Sequence, residues 1–380
     1  MRDSLKIAGL TASPGRLLLA LLFVGSLIVP EWASATCEWS NVSNGNFDAA
    51  SGLTGAAAIS STDAWAVGTG YHPQHGNSNQ ALTEHWDGRR WKVVPSANSN
   101  MVESLSGVAA VSTNDVWAVG VQYYGGPFES LIEHWNGARW TIVPSPNPSS
   151  GVFLSGVAAV SASDVWAVGS SGNDTLTEHW DGANWTAIPS PNARGGSSLL
   201  SSVSAVSAND VWAVGENLTN AGQLSLTEHW DGVRWAVVPT PTSFSAHTFP
   251  QNILQSVAAR SASDVWAVGT YSTLTLIEHW DGNSWKIVPS PNKNASGLLS
   301  VAAISANDAW VAGTHLETRG FDILTEHWDG VRWTIVPTPD EDARGPTLSG
   351  LAAIGPNDIL SVGSTGGFRN ADNLTLQFHC

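Results

Sequence analysis

Six Glu-His-Trp triplets repeat along the chain, with their histidines at His85, His134, His179, His229, His279 and His327. A glutamate beside a histidine offers a general acid and base or a pair of metal ligands. Repetition argues against both uses. Catalysis needs such a pair once, whereas packing a repeated unit needs it in every copy, so these pairs read as structural. The aspartate that opens each DVWAVG segment, such as Asp115, has the same status and is expected to accept backbone hydrogen bonds at a turn.

Chemistry is therefore sought where the repeat breaks. The non-repeat aromatics and histidines Tyr71, His72, Tyr123, Tyr124, Phe128, Phe244, His247, Phe249, Tyr271, His315 and Phe321 all fall between repeat signatures. His75 and Phe368 belong to the same set. Aromatic rings with few lysines suit sugar stacking or protein docking better than phosphate binding. Arg260 stands where other units carry Val or Ile, and a lone charge near a channel is a further ligand candidate. His72 and His75 lack a third metal ligand, and the run Asp340-Glu341-Asp342 reads as a solvated loop before it reads as a calcium site. No phosphate-binding glycine loop, nucleophile elbow or paired zinc motif occurs. The sequence implies no metal and no cofactor, and names no catalytic residue.

The positioning elements follow from the repeat. DVWAVG or a variant places tryptophans at Trp65, Trp117, Trp166, Trp212, Trp266 and Trp310, with Leu360 in the seventh place. LTEHWDG follows, its tryptophans at Trp86, Trp135, Trp180, Trp230, Trp280 and Trp328, with Phe378 seventh. A third tryptophan opens RWTIVPSP-like segments at Trp91, Trp140, Trp185, Trp235, Trp285 and Trp333. Each unit of about 45 to 50 residues divides into four short strands: a small apolar one, then DVWAVG, LIEHW and RWTIVP. Asp-Gly between the last two suggests a two-residue hairpin. Four antiparallel strands per repeat make a propeller blade.

The last unit supplies three strands and stops. Its fourth is expected from CEWSNVSNGN at residues 37–46, with Trp39 in the place of the third tryptophan. The chain thus reads as an all-β, seven-bladed β-propeller whose N-terminal strand completes the last blade. On that alignment Cys37 and Cys380 meet where other blades have a turn, and a disulfide between them would close the ring. The DVWAVG and HWDGxxW motifs resemble the repeat propellers of exported bacterial proteins. Asp87 to Trp91 is also similar to an Asp-box hairpin one residue shortened, and the recurring Asp, His, Thr and Trp are similar in type to the WD-repeat tetrad. Kelch-type propellers place a late tryptophan alike but carry a double glycine missing here. None of these likenesses transfers an activity.

Residues 1–35 read as an export signal. Arg2, Lys6 and Arg16 precede a thirteen-residue apolar run, Leu17 to Val29, and Ala33-Ser34-Ala35 follows. That run is shorter than the roughly 20 residues of a membrane span, and the residues before Cys37 make a poor lipoprotein box. The propeller would then occupy residues 36–380. A formal charge of -16 without a basic patch argues against nucleic acid. Strands one to two and three to four join by short uniform turns on one face, leaving variable loops on the other. The reading is a secreted, monomeric, noncatalytic recognition module that binds an extracellular glycan, cell-wall polymer or protein through that variable face and meets membrane only through the cleaved signal. An extracellular hydrolase or lyase at the channel mouth is the alternative.

Overall fold

The computed structural model describes residues 37–45, 50–72, 78–97, 102–193, 196–241, 251–292, 294–318, 320–339, 345–366 and 371–380. The expected export signal and lipoprotein box lie outside these residues. Seven four-stranded antiparallel sheets stand in a ring, and six of them are built from consecutive strands. In the seventh, Glu38–Asn41 pairs with Asp372–His379, setting Trp39 opposite Phe378 as Trp140 stands opposite Trp135 elsewhere. Cys37 and Cys380 are joined by a disulfide, with Cα atoms 4.1 Å apart across a sequence separation of 343.

Local chemistry explains the strand signature. The glycine ending each DVWAVG faces a carbonyl of the inner strand. A Cβ on Gly120 would lie 2.0 Å from the Ser104 oxygen, and one on Gly363 would lie 1.8 Å from that of Thr347. Only glycine allows this approach. The register shift beside it, between Leu105 and Gly107 in blade 2 and at matching positions in every blade, turns the inner strand to line the channel. The Asp-Gly turn differs from the two-residue hairpin expected of it. Trp86 pairs with Trp91, so the loop has four residues, 87–90. Asp87 Oδ1 accepts the N–H groups of Arg89 and Arg90, both at 3.1 Å, and only Gly88, at φ +88°, is left-handed. The aspartate side chain caps the turn that a second positive-φ residue would otherwise make.

The core lies between blades. Trp65 of blade 1 meets Trp140 of blade 2 edge-on at 5.1 Å and Trp135 at 4.8 Å. The pattern repeats to Trp310, which meets Trp39 at 5.7 Å and Phe378 at 4.4 Å. At the last seam Leu360 joins the cluster around Trp86 and Trp91. A buried indole hides about 150–250 Å², worth about 4–6 kcal/mol of gross transfer free energy. Trp266→Ala, which empties one seam, is expected to cost about 3–5 kcal/mol in urea unfolding; a loss under about 1 kcal/mol would mean that the seams do not carry the stability. Replacing Cys37 and Cys380 together by serine frees the long loop. The chain-entropy treatment puts the loss at up to about 5 kcal/mol, read as a lower urea midpoint for the double variant against the oxidised parent.

Candidate functional site

The repeated histidines are spent inside the blades. His134 Nε2 stands 2.8 Å from Asp115 Oδ1, and the other five pairs match it at 2.8–3.0 Å. Each histidine ring also lies on the first tryptophan of its blade, as His134 does on Trp117 at 4.2 Å. Asp115 therefore serves the imidazole and not the turn backbone expected for it. Ser112 Oγ takes the turn N–H of Asn114 instead, at 3.4 Å. In blade 7, Gln377 replaces histidine and donates to Asp358 at 2.6 Å. An amide that cannot titrate does the same work, as a structural bond requires.

The neighbouring glutamates are fully buried and reach across the seams. Glu133 accepts from Ser96 Oγ at 2.7 Å and from the Ala97 N–H at 3.2 Å, both on blade 1. Glu228 accepts from Ser190 at 2.6 Å, and Glu84 from Asn373 at 2.6 Å and the Gly45 N–H at 3.4 Å. Beside Glu178 and Glu326 the corresponding hydroxyls are shared, Ser145 with Ser130 and Ser290 with Thr275, and they offset only part of the cost of burying these carboxyls. Burial raises Glu84, Glu133 and Glu228 to about 7 and Glu178, Glu278 and Glu326 to about 8. Blade 7 carries Leu376 at this position.

The variable face holds most of the sequence-predicted residues, at strand ends more than in loops. Tyr71 closes the second strand of blade 1 (Asp63–His72) and pairs with Asn79. His72 is the last residue of that strand. Tyr123 pairs with Phe128, whose ring lies 5.0 Å from Tyr123 and 5.0 Å from Phe153 of blade 3. Phe128 and Phe153 remain 41 % and 39 % exposed, so these rings form a row open to solvent across two blades. Beside them the exposed Tyr124 donates its hydroxyl to Gln122 Oε1 at 2.6 Å. Tyr271 packs partly into the blade 5 cluster. Phe321, 54 % exposed, pairs with Leu316 on blade 6.

Other predicted residues do not join them. His315 is 2 % exposed, with Nε2 3.0 Å from Glu317, and packs within blade 6. Arg260 lies at the opposite end of its inner strand, Asn252–Ser261, roughly 25 Å from the variable face at about 3.3 Å per residue. Its guanidinium pairs with Asp264 at 2.6 Å, the same carboxylate that holds His279. Phe244, His247 and Phe249 fall outside the described residues, as do His75, Phe368 and Asp340-Glu341-Asp342. Phe153 was not among the sequence candidates. It sits in an apolar inner strand where it reads as core, and only the neighbouring blade shows its ring to be exposed.

Two cavities open on the channel side. A cavity of ≈ 220 Å³ runs along the axis, lined in each blade by the residues around the register shift, among them Thr54, Ser106, Ser155, Ser201, Gln255 and Ser349. A second, of ≈ 390 Å³, lies over the inner end of blade 1, with walls from blade 7 to blade 2 and with Tyr71, Asn79, Thr69 and Ser364 on its surface. Thr54 and Ser349 line both. Among the described residues no cluster of three or more His, Cys, Asp or Glu could hold a metal ion.

No protein-family model and no curated protein matches the chain. Solved structures do. The chain is similar to YCF48 bound to D1 peptide, at 15 % identity over 90 % of this chain and 95 % of that one, TM-score 0.59. It is also similar to the RRP9 WD40 repeats, at 10 % identity over 90 % and 97 %, TM-score 0.58. The extracellular domain of the hybrid two-component system BT4673 from B. thetaiotaomicron matches at 11 % identity, over 90 % of this chain and 40 % of that one, TM-score 0.55. The chain shares their fold. At these identities the likeness carries nothing further.

The buried glutamates make stability pH-dependent in a definite direction. Their pKa rises from 4.5 in the unfolded chain to about 7 or 8 in the ring, so the folded state binds more protons between those values. The stabilisation is complete below about pH 4.5 and is lost as pH climbs through 7 to 8, approaching roughly 1.4 kcal/mol per pH unit for each such group. The turn aspartates act oppositely: Lys92 and the turn N–H groups hold Asp87 down to about 2, a contribution lost in acid. Thermal melts should give a maximum near pH 5 and a falling Tm toward pH 9, and Glu278→Gln should raise Tm at pH 8 to 9. A Tm that climbs from pH 5 to 8 would contradict this.

Proposed function

We propose that this chain is a noncatalytic recognition module working outside the cytoplasm, which presents its variable face to a glycan, a cell-wall polymer or a protein. The observation that carries the reading is the solvent-open row of Tyr123, Phe128 and Phe153, rigid rings held at strand ends. Aromatic side chains kept exposed at the cost of contact with water are what recognition surfaces use. The aspartates and histidines of the repeat, by contrast, are paired with each other within the blades, and its glutamates are buried at the seams. The disulfide that closes the ring suits an oxidising compartment, in keeping with residues 1–35 as an export signal. YCF48, to which the chain is similar in fold, has been solved bound to D1 peptide, a precedent for the protein ligand.

The hydrolase or lyase alternative needs one nonrepeated acid or base, from Arg260 with His247 or His315, and His247 lies outside the described residues. Arg260 is paired at the far end of its blade and His315 is buried. Arrays of glycans and envelope extracts, probed with the mature protein, should return a ligand whose binding falls at least about tenfold, 1.4 kcal/mol, when Tyr123, Phe128 and Phe153 are all changed to serine. Hydrolysis of a polysaccharide by the protein, or equal capture by the triple variant, would defeat the proposal in this form.

A further inference from the structure

Gly52 lies on the wall of the cavity over blade 1. Gly52 immediately precedes the core leucine Leu53 of its inner strand, and the equivalent places in blades 3, 4 and 5 hold Phe153, Leu199 and Ile253, each paired with the matching residue of the second strand. Those side chains are larger, whereas blades 2 and 7 hold the small Ser104 and Thr347 at that place. Blade 6 has Gly297 there, but Thr270 Oγ1 already stands 2.8 Å from where its Cβ would be. At Gly52 the nearest atom is Ser364 Cβ at 3.3 Å.

The walls define what fits. Among the described residues the Tyr71 phenol is the one ionisable side chain on the cavity wall, so a phosphate, carboxylate or ammonium group meets no counter-charge from them, which is costly away from water. What is present is a set of hydroxyls and one amide, from Asn79, Ser349 and Ser364, groups able both to donate and to accept, while the Thr54 hydroxyl donates to the Leu105 carbonyl at 2.9 Å and can only accept. Tyr71 adds a half-buried ring with an apolar face, anchored by its N–H to the Ala50 carbonyl at 2.7 Å. A pyranose has the same division: hydroxyls at its edge and C–H groups on a flat face. The ≈ 390 Å³ volume falls in the range of small-ligand sites, about 300–1,000 Å³. The formal charge of -16 disfavours polyanionic sugars at long range.

We infer that the cavity between Gly52, Tyr71 and Ser364 is a binding site for an uncharged saccharide, with Tyr71 as its stacking platform and the channel mouth at Thr54 and Ser349 as the way a longer chain continues. This deepens the recognition reading and rests on it, but uses a surface separate from the aromatic row.

Calorimetry with the disulfide-closed mature protein would use tetrasaccharides of neutral hexoses and N-acetylhexosamines beside uronate and sulfated counterparts. The inference expects binding of a neutral probe, weakened at least about tenfold by Tyr71→Ala and by Gly52→Leu, which fills the cavity. Tyr71→Phe should stay within about threefold, and Phe128→Ser with Phe153→Ser should leave it unchanged. Binding of charged probes alone, or neutral binding indifferent to both cavity variants, overturns the site while the recognition reading stands on the aromatic row. Silence toward every probe, together with failure of the row to capture a ligand, overturns both. Should Tyr71→Ala not fold, judged by its thermal melt, Gly52→Leu and Asn79→Ala carry the same decision.

Discussion

A blade of this chain cannot bury its second-strand tryptophan alone, because one face of a four-stranded sheet has nothing of its own to cover it. Trp65, Trp117, Trp166, Trp212, Trp266 and Trp310 each find cover in two aromatics of the next blade. Dependence of each sheet on the next leaves only a closed ring without an open face. Closure in turn requires that the two termini build one sheet, which Trp39 does by taking the place of a third tryptophan opposite Phe378. The disulfide fixes that junction covalently where every other blade has a continuous turn.

The same demand explains why the residues most suggestive of chemistry perform none that the geometry reveals. In six blades an aspartate, a histidine and a tryptophan come together at the end of the sheet, and beside them Glu84, Glu133 and Glu228 bond to the previous blade. Burying a carboxylate at a seam is expensive, and the raised pKa of these groups reports that cost. Six repeats tolerate it with partners of differing quality: Glu133 has three hydrogen bonds from blade 1, while Glu278 has no hydrogen-bond partner among the described residues. Blade 7, assembled from both termini, dispenses with the group through Leu376.

In the proposed reading, recognition falls to the positions where symmetry lapses. On the variable face one lapse adds side chains, the rings of Tyr123, Phe128 and Phe153. Another removes one, at Gly52. The first makes a raised apolar strip and the second a recess with neutral walls, and both stand on paired strand ends whose backbone is held by the ladder, so either surface is preorganised.

Repeat spacing, the tryptophan signatures and the missing last strand determined the architecture from sequence alone, because a period of four strands with one deficient copy admits a single closed solution. The pairing of Cys37 with Cys380 came with it, since both flank the strands that must meet. The candidate surface was only half legible. Tyr123 and Phe128 could be picked out as aromatics between signatures, but Phe153 reads as core in its strand and becomes surface only through the twist and the neighbouring blade. His315 and Arg260 looked available by type; burial beside Glu317 and a bond to Asp264 removed them. Gly52 carries no side chain to notice, and its meaning depends on what seven superimposed positions hold in space. Chain-local pattern encodes strands and their order; exposure and cavities belong to contacts between blades, and only the tertiary structure decides them.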